Sequence, residues 1–446
     1  MWPAGKPSPK VCIIGAGPSG LATAHRLLEA GIRDLLIVER QSDVGGNWTW
    51  GDRAAHSSLY ETVRSISSRD MTAFQGIPFS SAVDIYPTRT DLLHYLQRMA
   101  THFDLRRHIR FNTQVVSVTP STTAGWSVIT EGRSPENFDA VCVCSGHHWN
   151  PAYPDLPGNF SGRIVHAHDY RNSSRFAEED VLVIGCGNSG ADIAVDLARR
   201  GCKVSLSIRR GYHIVPRFLF GIASDVLYSR LRRFVPLPLL RPVAQLLLTA
   251  HRRYQIGGAL PTPDHGLFAT HPLVNSELIP CIRSGGIRVV GSIADIHGQQ
   301  VRFSSFGPRS GSNGAATLHF DTIIACTGYK VAFPFLASSI TGTTTEQLLA
   351  RLQLRLVHKD QPGLYFVGLL QPSGSLWPVA DAQAKFIAAH LAGAVQPPSV
   401  EPPATRTTDR YVPSARHLLE VDGEDYERTL LALASAHHSH GTGQAQ

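Results

Sequence analysis

The chain has 446 residues, 43% of them hydrophobic and 17% charged, with a net charge of +7. That length predicts two or three domains with a sizeable buried core, and the composition excludes a disordered, collagen-like or low-complexity protein. Lysines and arginines are mostly scattered, whereas a nucleic-acid binder would cluster them among aromatics. The longest apolar run, Val235 to Ala250, contains Arg241 and three prolines, so no segment is expected to span a bilayer. Residues Met1 to Pro9 lack the apolar stretch of a secretory signal. The seven cysteines form no CxxC pair and sit mostly in apolar runs such as Val141-Cys142-Val143-Cys144. They read as buried small side chains of a reducing compartment, not as a disulfide framework or zinc site. A soluble, cytoplasmic, multi-domain protein is expected.

The first element is an apolar strand, Val11 to Ile14, running into Gly15-Ala16-Gly17-Pro18-Ser19-Gly20. A helical pattern follows with Leu21, Ala24, Leu27 and Leu28 on one face, and a second strand, Leu35 to Val38, ends at Glu39. Gly15 permits the tight turn, Gly17 lets a pyrophosphate approach the backbone, and Gly20 lets helix and strand pack closely. The helix N-terminus then faces the phosphates, and Glu39 can accept from a ribose hydroxyl. An acid at that strand end repels a 2′-phosphate, so this site suits an unphosphorylated adenosine such as that of FAD.

The unit recurs at Val181 to Ile184, followed by Gly185-Cys186-Gly187-Asn188-Ser189-Gly190 and a helix ending near Gly201. Its second strand, Val204 to Ile208, ends in Arg209-Arg210 instead of an acid. A guanidinium pair there suits a 2′-phosphate, which predicts NADPH over NADH; a solvated arginine pair is the plainer alternative. Neither loop carries a Walker lysine, so ATP chemistry is not expected.

Further short strands lie at Val141 to Gly146, Ile323 to Gly328 and Leu364 to Gly368, the last leading to Gln371 and a helix near Val379 to Ala394. The expected fold is α/β, with two Rossmann-type dinucleotide-binding domains for FAD and NADPH, the FAD domain discontinuous. Its parts are residues 1–172 and 328–446, around an NADPH domain at 173–327 with a helical insertion at about 212–271. A weak helix is expected near Asp425 to Ala434, before a disordered tail from His437 to Gln446.

The chain resembles the flavin-containing monooxygenases. The resemblance rests on Phe160-Ser161-Gly162-Arg163-Ile164-Val165-His166-Ala167-His168-Asp169-Tyr170, which fits the family's FxGxxxHxxx[YF] pattern just ahead of the second glycine loop. Gly45-Gly46-Asn47-Trp48, Cys144-Ser145-Gly146-His147-His148, Arg209-Arg210-Gly211, Thr327-Gly328-Tyr329 and Gly368-Leu369-Leu370-Gln371-Pro372 extend it over most of the chain. It implies that NADPH reduces FAD, that oxygen adds at the flavin C4a, and that one oxygen atom passes to a soft nucleophile, nitrogen or sulfur, of a small organic substrate. Cofactor contacts are then expected at Gly15, Gly17, Pro18, Ser19, Gly20, Glu39, Arg40, Gly46 and Trp48, and at Gly185, Gly187, Asn188, Ser189, Gly190, Arg209 and Arg210. Thr327, Gly328 and Gln371 complete that set, and no metal is implied. Baeyer–Villiger relatives usually end the central motif in Trp, where this chain has Tyr170. A disulfide reductase of similar architecture needs a redox CxxC, absent here.

One departure concerns the stretch Ser58 to Met71, where the family carries an Asn near the flavin. Aligned through Leu59-Tyr60 and Met71, that position is Ile66, which can neither donate nor accept a hydrogen bond. Ser65 and Ser67 offer hydroxyls, but in an extended segment they point away from Ile66. Ile66 thus keeps open an uncoupled NADPH oxidase or sensor flavoprotein. Three plainer readings complete the set. His166 and Tyr170, four apart, serve as a structural linker or a helix-face contact rather than as catalysts. His147-His148 has no further ligand to make it a metal pair. The arginines at 230, 232, 233, 241, 252 and 253 line a channel cover with a solvated face, the alternative being a membrane-surface helix. Trp377 belongs either to the core or to the wall of a substrate pocket. Substrate identity and oligomeric state are not encoded in these motifs.

Overall fold

A computed structural model describes residues 8–51, 56–122, 124–256, 260–304, 316–405, 411 and 417–435. The tail from His437 lies outside them, as does the side chain of Arg252. The chain divides into two compact units: residues 1–57, 69–147 and 331–446 form one, and 58–68 with 148–330 form the other.

The first unit is built on a seven-stranded sheet. Val11–Ile14 lies at its centre, pairing in parallel with Leu35–Val38 on one side and Ala140–Val143 on the other. These strands read as unbroken apolar runs because both faces are covered, one by helices and the other by a three-stranded sheet of Val115–Pro120, Trp126–Thr130 and Glu136–Phe138. Leu364–Phe366 joins in parallel beside Ala140–Val143, so the C-terminal part of the chain completes the sheet begun by the N-terminal part. The Leu376–Leu391 helix packs on the Pro18–Glu29 helix within one apolar core containing Leu21, Ala24, Ala380 and Phe386. The Gly423–Ser435 helix closes this side, and Tyr426 donates to the Leu354 carbonyl at 2.6 Å.

The second unit has a five-stranded parallel sheet with Asp180–Ile184 at its centre. Lys203–Ser207 and Ile287–Val290 lie on one side, Thr322–Ala325 and Arg163–His166 on the other. Within the 212–271 insertion a short hairpin, Phe218–Leu219 and Ile222–Ala223, precedes the Ser224–Arg232 and Leu237–Ile256 helices. The segment 58–68 belongs to this unit although its chain neighbours belong to the other, a placement the sequence reading did not contain.

Candidate functional site

Both glycine loops use their glycines for backbone reasons. Gly15 has φ +104° and Gly185 has φ +97°, a region L-residues rarely adopt. A Cβ on Gly20 would lie 1.9 Å from the Gly15 carbonyl oxygen, and one on Gly190 the same distance from that of Gly185. Helix and strand can approach only without those side chains. Gly17 lies against Gly46, whose own Cβ would sit 2.8 Å from the Gly17 Cα, so the Gly45-Gly46 turn folds over the first loop.

The helices Pro18–Glu29 and Asn188–Arg199 leave these loops with no acidic residue in the first turn and no side-chain cap at Gly17 or Gly187. Their terminal N–H groups and the positive end of the helix dipole therefore remain available to an anion. In the first loop this set includes the N–H groups of Ser19 and Gly20; Pro18 supplies none, and its ring presets the first helical turn. In the second, Ser189 and Gly190 supply theirs, while the Asn188 side chain accepts from Val274 N at 2.9 Å and ties the loop to the end of the insertion.

Glu39 is buried at the end of its strand, where Oε2 accepts from Ala16 N at 2.7 Å and Oε1 from Gln41 N at 2.8 Å. Two backbone donors thus fix the carboxylate beside the glycine loop, with lone pairs left for a ribose hydroxyl. Arg40 is exposed. Trp48 sits edge-on to Trp377, which stacks on Phe74 at 5.4 Å. Trp377 is buried in this core. Gln371 pairs its backbone N–H with the Leu419 carbonyl, and Gly368 fits over Ser19, where a Cβ would meet Oγ at 2.5 Å. These features form a cradle for a dinucleotide with an unphosphorylated ribose, and FAD fits it.

In the second unit Arg209 is exposed and makes no hydrogen bond or ion pair among the described residues, so its guanidinium is available. Arg210 is held instead by Asp264, a residue the sequence reading did not single out. Thr327 donates to the Ala152 carbonyl at 2.5 Å, and Gly328, at φ +85°, turns the chain beside it.

The motif from Phe160 to Tyr170 is not a helix. His166 ends the Arg163–His166 strand, and the chain turns before Tyr170, which removes the helix-face contact. Gly162 is required because a Cβ there would clash with the Asp321 carbonyl at 2.5 Å and the Phe160 ring at 2.7 Å. Tyr170 is fully buried and donates to Asp196 Oδ2 at 2.5 Å. Burial and that carboxylate push its hydroxyl far up, keeping it a proton donor. One turn earlier on the same helix, Asp192 accepts from Tyr60 at 2.9 Å and from Asn275 at 2.6 Å. The spacing of Asp192 and Asp196 was a usable signal, since residues four apart share a helix face.

Tyr60 begins the segment that carries position 66. Glu61 N donates to the Arg171 carbonyl at 2.7 Å, Arg171 reaches the Leu59 carbonyl at 3.2 Å, and Ser68 N donates to Asp225 Oδ2 at 2.6 Å. Between these anchors Ser65 and Ser67 are buried and Ile66 is half-buried, but the chain bends at 66–67 instead of running extended as expected. Ser65 Oγ accepts from Ser67 N at 3.2 Å, so it serves its own turn.

The insertion departs from expectation. On the Leu237–Ile256 helix Arg241, Gln245 and Thr249 turn inward, with Gln245 Oε1 accepting from Leu267 N at 3.2 Å and Arg241 lying against Gly266. The outer face is therefore apolar, with Leu239, Val243, Leu246 and Leu247 all more than half exposed, where a polar solvated face was expected. No described helix is long and apolar enough to cross a membrane. His147 is buried and His148 exposed, so adjacent positions face different surroundings.

Residues 8–421 match the flavin-binding monooxygenase-like family. The chain is 31% identical to flavin-containing monooxygenase 5 of Oryctolagus cuniculus, covering 93% of this chain and 80% of that one. It is 33% identical to flavin-containing monooxygenase 1 of Rattus norvegicus, covering 88% and 75% respectively. Among solved structures, an S-allyl-L-cysteine S-oxygenase from Allium sativum shares the fold at TM-score 0.67 and 23% identity, over 95% of this chain and 88% of that one. A caprolactone-bound cyclohexanone monooxygenase does so at TM-score 0.71 and 17% identity, over 96% and 98%. With two glycine cradles that fit FAD and NADPH, the chain belongs to the flavin-binding monooxygenase-like family and is an FAD- and NADPH-dependent monooxygenase.

Proposed function

We propose that this monooxygenase transfers one oxygen atom to a nucleophilic nitrogen or sulfur of a small organic substrate. Tyr170, hydrogen-bonded to Asp196 where Baeyer–Villiger relatives usually place Trp, carries that reading. Bound FAD supplies the redox chemistry, accepting hydride from NADPH and passing on oxygen. The side chains bind, orient and shield, because the cofactor carries the hard chemistry. Glu39 fixes the flavin adenosine, the helix N-terminus at Asn188 receives the NADPH phosphates, and Arg209 with Arg210 selects the 2′-phosphate.

Reaction occurs in the cytosol, supported by seven free thiols of which Cys12, Cys142, Cys144, Cys186 and Cys202 are buried. Burial pushes the Cys144 thiol up to about 12, leaving it unreactive.

The test is product identity. A thioether, a tertiary amine and a cyclic ketone are each incubated with enzyme, NADPH and air. Sulfoxide or N-oxide as the main product supports the proposal; a lactone as the only oxygenated product overturns it. Replacing Arg209 and Arg210 together with Ala is expected to lower the NADPH:NADH ratio of kcat/KM at least tenfold, since a charge-assisted guanidinium–phosphate contact is lost.

A second reading rests on Ile66, flanked by Ser65 whose hydroxyl is already engaged. With no amide at this position, part of the NADPH consumed ends as hydrogen peroxide. Ile66→Asn is expected to reduce peroxide released per NADPH severalfold, measured by a coupled peroxidase assay. An unchanged peroxide fraction refutes the role of this position.

A further inference from the structure

Arg210, half of the arginine pair read above as the 2′-phosphate site, is not free. Its Nη2 lies 3.0 Å from both carboxylate oxygens of Asp264, with Nε 3.3 Å from Oδ1. An exposed ion pair by itself carries little weight, but this one is built in by the backbone. Gly211 follows Arg210 directly, and a Cβ there would lie 2.3 Å from the Thr262 carbonyl carbon and 2.4 Å from Pro261 O and Pro263 N. Chain 261–263 is thus packed onto the strand end that presents the arginines, and Asp264 comes next.

The carboxylate is also fixed from its other side. His265 Nδ1 lies 2.8 Å from Asp264 Oδ1, His265 Nε2 lies 3.1 Å from Thr270 Oγ1, and His213 Nε2 lies 2.8 Å from the His265 carbonyl. Hydrogen bonding from His265, then from Arg210, holds the Asp264 carboxyl below the usual carboxylate range.

Two opposite signals therefore meet at one ribose position. Arg209 offers a guanidinium that is unpaired among the described residues and suited to a 2′-phosphate. Asp264 neutralises its neighbour and presents the acidic acceptor by which dinucleotide sites hold a free 2′-hydroxyl. A 2′-phosphate entering beside Asp264 meets a like charge, whereas the 2′-hydroxyl of NADH meets an acceptor.

We propose that Asp264 is a specificity-determining residue of the adenosine-ribose site, and that it lets the enzyme use NADH alongside NADPH. The hydride leaves the dihydronicotinamide of NADH for FAD with one proton from solvent, giving NAD⁺ and reduced flavin, the same two-electron balance as with NADPH. The inference rests on the reading of Arg209 and Arg210 as the 2′-phosphate site.

The experiment measures kcat/KM for NADPH and for NADH on FAD-loaded enzyme at fixed ionic strength. Wild type, Asp264→Asn, Asp264→Glu and the Arg209→Ala/Arg210→Ala double variant are compared. Expected are measurable turnover of the wild type with NADH, an NADPH:NADH ratio about tenfold higher in Asp264→Asn, and a ratio near wild type in Asp264→Glu. A ratio that stays within twofold or falls in Asp264→Asn overturns the proposal, as does an equal loss with both cofactors, the signature of a merely structural contact. If the double arginine variant leaves the ratio unchanged, the 2′-phosphate reading itself fails. If it shifts and Asp264→Asn does not, only the role of Asp264 fails.

Discussion

Gly190→Ala is expected to retain FAD and to reduce it with NADPH at least about a hundredfold more slowly than wild type, while dithionite reduces both equally. A methyl group at this position would lie 1.9 Å from the Gly185 carbonyl oxygen and 3.3 Å from Cys326 Cβ. Backbone is the obstacle, so the loop itself has to move. Gly185 already sits at φ +97° and cannot absorb the change by a routine adjustment. The displaced parts are the helix-terminal N–H groups proposed above to receive the NADPH phosphates. A shift of about 1 Å in a positioning element can cost about 10²-fold in rate. Retention of FAD is expected because the residues proposed to hold it, Gly15 to Gly20, Glu39 and Gly46, belong to the other unit. Stopped-flow absorbance under anaerobic conditions reads the rate; reduction by NADPH within threefold of wild type would contradict this role of the second loop.

Asp381→Ala is expected to lower the stability of the FAD-binding unit by about 3 kcal/mol and to release FAD at lower temperature. Arg26 Nε and Nη2 each lie 2.7 Å from an Asp381 oxygen, and both side chains are 6% exposed. This pair joins the helix that leaves the first glycine loop to the Leu376–Leu391 helix of the C-terminal segment. Removing the carboxylate strands a buried guanidinium, which Glu29 at the rim, 2.8 Å from Nη1, compensates only in part. Replacing both partners with apolar side chains, as Arg26→Met with Asp381→Leu, is expected to recover most of the loss, because a buried ion pair contributes little over a packed apolar pair. Flavin fluorescence during thermal unfolding measures both effects. An Asp381→Ala midpoint unchanged from wild type would show that the C-terminal segment is held without this pair.

Both glycine loops were legible in the sequence because their residues are dictated locally. A turn at φ near +100° and a helix pressed onto a strand leave few choices besides glycine, and the flanking apolar runs give strand and helix in register. The strand at Leu364–Phe366 was legible in the same way, as an apolar run closing on Gly368. The long-range polar contacts were not. Asp264 pairs with Arg210 across 54 residues of chain, and Tyr60 meets Asp192 across 132, distances at which no periodicity operates. Residues 58–68 meet the second unit through residues distant in sequence, such as Asp192 for Tyr60 and Asp225 for Ser68, so neighbouring chain gave no hint of it. In the Leu237–Ile256 helix the period was readable but not which side is buried: Gln245 and Arg241 satisfy polar groups inward, and the leucines are left outside.

Isotope labelling tests the assignment of monooxygenase activity most directly. Enzyme, NADPH and a thioether are incubated under ¹⁸O₂, and NADPH consumed, peroxide released and label in the product are counted together. One labelled oxygen atom per product molecule is expected, with product and peroxide together equal to the NADPH consumed. NADPH oxidation accounted for entirely by peroxide, with no labelled product from a thioether, an amine or a ketone, would contradict oxygen transfer by this protein.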